Sequence, residues 1–178
     1  MFQIPPMPTW DGLHPLIIHF PIALLFVAPV FIVIGALLPW RKGRPLFYSA
    51  LLLMVLGTVS IFFAIETGEA AGKLAERTPE INTALEQHES LAENTRLTFS
   101  ILTVLFAGVL IAPLIGRREP GRTASTVLPL VFVVLYGGGM LLLANAADQG
   151  GRMVHEMGVH ALVAPASQPM QSGKIERD

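Results

Sequence analysis

Four apolar stretches, 15–38, 46–65, 97–115 and 127–147, contain no Asp, Glu, Lys or Arg. Each is roughly 19 to 24 residues long, enough for a helix to cross a hydrocarbon core of about 30 Å. They are apolar on every face, whereas a membrane-spanning strand alternates polar and apolar positions over about ten residues, so helices are predicted and strands are not. The chain as a whole agrees: 52% of its residues are hydrophobic and 14% charged, with a mean hydropathy of +0.58, too apolar for an ordinary soluble domain. The expected fold is all-α, an integral-membrane four-helix bundle occupying residues 1–164. Residues 165–178, rich in Ser, Gln, Pro and Gly, are expected to form a disordered tail.

Basic residues set an expected direction of insertion. No Lys or Arg precedes the first span, while Arg41, Lys42 and Arg44 crowd the first short loop and Arg117, Arg118 and Arg122 the third. Both basic loops are therefore expected in the cytoplasm, which puts the N-terminus, the long second connection and the C-terminus outside. A multi-pass protein of a bacterial inner membrane fits this reading. Trp40 is placed to anchor at the inner interface and Trp10 near the outer one. The first span lacks a basic n-region and is too long for a cleavable signal, so it is expected to be retained.

The connection between the second and third spans predicts an outward hairpin. Residues 66–77 carry helix formers without a break, and Thr78-Pro79-Glu80 supplies an N-cap, a first-turn proline and a first-turn acid for a new helix. From Pro79 that helix is expected to run unbroken into the third span. Pro15, Pro21 and Pro29 are expected to be start features and kinks whose freed carbonyls neighbouring helices satisfy, with Asp11 capping the first helix. Gly137-Gly138-Gly139 is expected to permit close helix packing.

Candidate chemistry rests on the five histidines, His14, His19, His88, His155 and His160, all on the predicted outer side. Imidazole is the commonest protein ligand for haem iron, copper and zinc. Measured from the expected outer hydrocarbon edge, His19 lies at the edge, His14 about 9 Å above it, and His88 and His155 each about 14 Å above it. Gly150 and Gly151 are able to break the fourth helix and shift the last of these. His14 and His19 are five residues apart, as are His155 and His160, so the rings of each pair diverge by roughly 140° around a helix and cannot share one metal. The His-Glu-x-x-His spacing of zincins is absent, and Leu85 stands where a di-iron Glu-x-x-His motif needs a carboxylate. Ligation from separate helices remains, the way a haem is clamped inside a bundle. With no cysteine in the chain, disulfides, cysteine-ligated clusters and covalent c-type haem are excluded.

Four segments carry a resemblance: Leu13-His14-Pro15-Leu16-Ile17-Ile18-His19-Phe20-Pro21-Ile22-Ala23-Leu24-Leu25, Thr67-Gly68-Glu69-Ala70-Ala71, His88-Glu89 and Gly150-Gly151-Arg152-Met153-Val154. From about Trp10 to Val159 the chain resembles the bacterial membrane-protein family labelled domain of unknown function 2231. The resemblance implies a four-span bundle kept in redox company, since some such proteins are joined to Rieske-type or cytochrome-like domains. It carries over His14, His19 and His88. The chain departs from the pattern at His155, where many relatives have an aromatic residue, and at Met157, where many have histidine; methionine is itself an axial ligand for haem iron.

The sequence therefore favours a redox membrane protein that binds non-covalent b-type haem, or else copper, iron or zinc, near the outer face and transfers electrons. Cofactor binding is assigned to His14, His19, His88 and His155, with His160 a further candidate metal ligand. Quinol or an outer-face redox protein is the expected partner besides the lipid bilayer, and a homo-oligomer or complex subunit the expected assembly. The alternative is a cofactor-free accessory subunit of a respiratory or redox complex. A stand-alone enzyme is disfavoured because no nucleophile, general base or oxyanion hole can be assembled. A transporter is disfavoured by the lack of charge inside the spans, and nucleic-acid binding by the absence of any basic face.

Overall fold

The computed structural model describes residues 7–117 and 119–159; His160 and the 165–178 tail lie outside them. A 3₁₀ turn, Asp11–Leu13, leads into α1 (His14–Ile17), α2 (His19–Leu37), α3 (Trp40–Gly72), α4 (Pro79–Ile115) and α5 (Arg122–His155). The turn, α1 and α2 form one continuous rod, so four helical segments are long and apolar enough to cross a membrane. The connections are short, and chain neighbours pack as antiparallel neighbours. α2 lies on α3, α3 on α4 and α4 on α5, and α5 closes the ring against α2.

Local chemistry sets the helix ends. Leu38 is extended before Pro39, which precedes α3, because a residue before proline avoids the α region. Thr78 caps α4 by accepting a hydrogen bond from the Ile81 N–H at 3.3 Å, with Pro79 in the first turn and Glu80 beside it, as the sequence predicts. α3 ends sooner than predicted. Rather than continuing to Arg77 it stops at Gly72, whose carbonyl accepts a hydrogen bond from Arg77 Nη2 at 3.0 Å, one of the otherwise unpaired carbonyls of a helix C-terminus. The α3–α4 hairpin is thus asymmetric, with α4 extending further beyond the apolar spans than α3.

Asp11 does not cap the first helix. It begins the 3₁₀ turn, and the residue before α1 makes no side-chain cap bond. Pro15 is still tolerated because it falls in the first turn of α1, where its missing N–H has no partner to lose. The helix is interrupted at Ile18, next to the Ile17 carbonyl that Pro21, having no N–H, cannot engage.

Pro29 lies inside α2 and removes the hydrogen bond that the Leu25 carbonyl would accept. Tyr136 of α5 replaces it, its hydroxyl donating to Leu25 O at 2.7 Å. A second interhelical bond joins the Thr58 and Thr103 hydroxyls at 2.9 Å between α3 and α4. Ring contacts run Trp40–Phe47–Phe106–Phe132–Tyr136–Phe99 through the middle of the bundle. Close backbone approach occurs where α2 meets α3: a Cβ on Gly43 would sit 2.2 Å from the Gly35 carbonyl oxygen. Of the three consecutive glycines of α5 only Gly139 packs tightly, against Leu102; Gly137 and Gly138 face open space. Large apolar side chains such as Val104, Val134 and Leu141 point outward, the surface a bilayer solvates.

Candidate functional site

The first turn of α1 brings His14 against the C-terminal end of α3. Its Nδ1–H donates to the Ala64 carbonyl at 2.9 Å and lies 3.3 Å from Thr67 Oγ1. The Thr67 hydroxyl donates to the Phe63 carbonyl at 2.8 Å and so presents a lone pair to the imidazole. A carbonyl can only accept, so Nδ1 carries the proton in the neutral ring and Nε2 keeps a free lone pair. The ring rests on Gly68, where a Cβ would come 2.8 Å from His14 Cε1. Thr67 is fully buried. Thr67 and Gly68 are therefore a hydrogen-bonding wall and a seat for one histidine.

His88 approaches from α4 and rests on Gly150 of α5, where a Cβ would stand 3.1 Å from its Cε1. Gly150 and Gly151 do not break the helix, which is continuous to His155. The inward face of α5 here consists of Ala146, Gln149, Gly150 and Met153. His88 Nδ1 is buried and makes no well-formed hydrogen bond, although the Ala146 carbonyl is near enough to act on the ring; Gln149 Oε1 is likewise buried without a partner.

Both imidazoles lie beyond the apolar spans and both titrate below the ordinary histidine range. Burial is the main cause for His14; the Ala64 carbonyl pulls the other way, and the charge of a protonated His88 adds a smaller downward push. Burial also dominates at His88, opposed by the Ala146 carbonyl. At neutral pH the site therefore holds two neutral imidazoles, the state in which the ring nitrogen is a metal ligand.

The other histidines are placed differently. His19 is exposed, its Nδ1–H donating to the Pro15 carbonyl one turn back at 2.6 Å. His155 is exposed at the last turn of α5, Met157 is 37% exposed just beyond it, and His160 lies outside the described residues. The structure thus half-buries His14 and His88 at the same end of the bundle, one against α3 and the other against α5, and leaves His19 and His155 exposed. Among the described residues no three His, Asp or Glu side chains are placed to hold one metal ion. A cavity of about 530 Å³ on the α3–α4 hairpin is lined by Glu69, Lys73, Arg77, Glu86 and others, but by neither histidine.

Residues 11–162 match the family described as predicted membrane protein (DUF2231). The chain belongs to this family. No curated protein and no solved structure matches it. The segments that carry the family resemblance are those that build the site: His14 in the first, Thr67 and Gly68 in the second, His88 in the third and Gly150 in the fourth. Reading the sequence for ligands alone passed over Thr67, Gly68, Gln149 and Gly150 as parts of that site. The signal for two of them was a glycine inside each motif, the residue used where another group must approach the backbone closely.

Proposed function

We propose that this DUF2231 protein is a redox component of a bacterial inner membrane that holds a metal-centred cofactor, b-type haem first and copper, iron or zinc otherwise, between His14 and His88. The observation that carries the reading is the state of the two rings. A ligating histidine ordinarily donates its second N–H to a carbonyl or carboxylate, fixing tautomer and orientation, and His14 does this through Ala64. His88 contributes a buried ring whose Nδ1, beside the Ala146 carbonyl, makes no well-formed hydrogen bond, a costly condition that ligation relieves. The donor set fits an iron or softer divalent ion, which takes neutral imidazole readily. When bound, haem, iron or copper would supply one-electron transfer, whereas zinc, which has no redox chemistry, would only hold the two rings in place. The protein's part is to fix both rings, keep them neutral by burial, and present the site at the outer face to quinol or an outer redox protein. The N- and C-termini share that face in this reading, and the basic loops lie in the cytoplasm.

The test is an optical spectrum and metal analysis of detergent-purified protein from a haem-replete host. A Soret band with a reduced α-band is expected in the wild type and in His155→Ala, and its loss in His14→Ala and in His88→Ala. The second reading, a cofactor-free accessory subunit of a respiratory or redox complex, draws on exposed His19 and His155 as docking groups. A colourless, metal-free wild type supports that reading instead.

A further inference from the structure

At the opposite end of the bundle from the histidines, a groove of about 500 Å³ runs between α4 and α5. Its walls are apolar, including Val104, Leu110 and Pro113 from α4, Leu128 and Pro129 from α5, and Trp40 from the start of α3. Gly108 leaves the middle open: a Cβ there would meet no atom within 4 Å. Val104 and Leu128, both more than half exposed, form its outer lips, so the groove opens sideways toward lipid. Its lining follows α4 from Val104 to Pro113, about 14 Å at 1.5 Å per residue, and ends at Pro120, Ala124 and Ser125, where the short loops begin.

Those loops are strongly cationic. Arg41 pairs with Glu119 at 3.3 Å, which ties the first turn of α3 to the α4–α5 loop beside Trp40 and Pro120. Lys42, Arg44, Arg117 and Arg122 are exposed and in no ion pair among the described residues. Cationic loops alone serve insertion, and a lipid-facing groove alone takes any acyl tail. An apolar channel that ends at Trp40, Pro120 and Ala124, within two to four residues in sequence of Lys42, Arg44 and Arg122, selects for a molecule that is apolar along its length and negative at one end.

We propose that this groove is a binding site for an anionic phospholipid, with one acyl chain along α4 past Gly108 and the phosphate among the loop cations. Basic pockets between membrane helices recognise such headgroups by charge, while the tail supplies apolar contact. The ligand class follows from complementarity at both ends of one groove, and it is independent of what the histidines bind.

The test uses the full chain in detergent micelles containing equal amounts of phosphatidylglycerol and phosphatidylcholine, with retained lipid counted by native mass spectrometry. Preferential retention of one phosphatidylglycerol is expected. Gly108→Leu, which fills open space and melts as the wild type does without lipid, should abolish that retention. Arg44→Gln and Arg122→Gln should each reduce the preference for the anionic lipid by roughly five-fold, the equivalent of about 1 kcal/mol per surface cation. Equal retention of the two lipids by the wild type overturns the proposal, as does undiminished phosphatidylglycerol on Gly108→Leu. Stabilisation by inorganic phosphate equal to that by the lipid removes the acyl-chain half and overturns it too. A wild-type dimer that Gly108→Leu converts to monomer with no lipid bound assigns the groove to a second copy of the chain instead.

Discussion

An imidazole whose Nδ1–H is committed to a backbone carbonyl is held like a part of the main chain, and the room around it is what a substitution tests. The Cβ introduced by Gly68→Ala would lie 2.8 Å from His14 Cε1, so the ring has to leave the Ala64 carbonyl or push α1 away from α3. We expect a cost of about 1 to 3 kcal/mol, typical of overpacking, read as a lower melting midpoint in detergent. In a His14→Ala background the clash is gone, and the same change should be neutral or stabilising, since alanine suits a helix better than glycine by about 0.5 to 1 kcal/mol. Equal destabilisation in both backgrounds contradicts the contact. Protonation gives a second test at this scale. Both His14 and His88 are held below their ordinary range by burial. As pH falls through about 6.5 the unfolded chain takes up protons that the folded chain refuses. The unfolded state then binds more protons, so this contribution to stability is complete above about pH 6.5 and is lost as pH drops below it. The detergent melting midpoint should be level from pH 8 to 6.5 and decline toward pH 5, with a shallower decline in a His14→Gln, His88→Gln double variant. The five-residue spacing from His14 to His19 showed in sequence that only one of that pair could face the bundle. Which one it is depends on the Ile18 interruption and on the Pro15 carbonyl taking the His19 N–H, tertiary and backbone details that spacing does not encode.

Within the helices, the bond between Tyr136 and Leu25 shows how a proline is accommodated where no water can help. Pro29 frees the Leu25 carbonyl and Tyr136 Oη reaches it from the facing helix at 2.7 Å, so the two residues are coupled without touching in sequence. Tyr136→Phe should lower stability by about 0.5 to 2 kcal/mol, the range for interhelical hydrogen bonds in membranes. Restoring an N–H with Pro29→Ala gives the carbonyl an intrahelical partner, and Tyr136→Phe should then cost less. A double-mutant cycle with no coupling energy contradicts this account. The need for a rescuing group was legible from the prolines; the identity of the rescuer was not, because it lies 111 residues away in the chain. Helix starts were more legible than helix ends. Thr78-Pro79-Glu80 marks its cap in three adjacent residues, whereas the stop at Gly72 depends on Arg77 folding back onto a carbonyl five residues earlier. The three glycines of α5 make the same point, since only the partner helix decides that Gly139 is packed and Gly137 and Gly138 are not.

For the whole molecule, apolar length and short connections leave few arrangements, and the four-span ring follows from them because consecutive helices joined by a few residues must pack antiparallel. That logic fixes which ends lie together but not which side of the membrane each end faces. The DUF2231 helices put Lys42 and Arg117 at one end of the bundle and the start of α4, with His14 and His88, toward the other. The excess of loop cations carries the remaining step, since Lys and Arg in short loops resist translocation. A chain without cysteine makes the step directly measurable by single substitutions at exposed positions. In intact spheroplasts, a membrane-impermeant maleimide should label Glu80→Cys and leave Lys42→Cys and Arg117→Cys unlabelled until the membrane is opened. Reversed accessibility would place the histidine site on the cytoplasmic side and remove the outer-face partners from the functional reading while leaving the bundle intact. Simultaneous labelling of Glu80→Cys and Lys42→Cys from one side would break the bundle topology itself, because Lys42 sits in the first turn of α3, a helix of 33 residues that spans about 50 Å at 1.5 Å per residue and cannot return both ends to the same face.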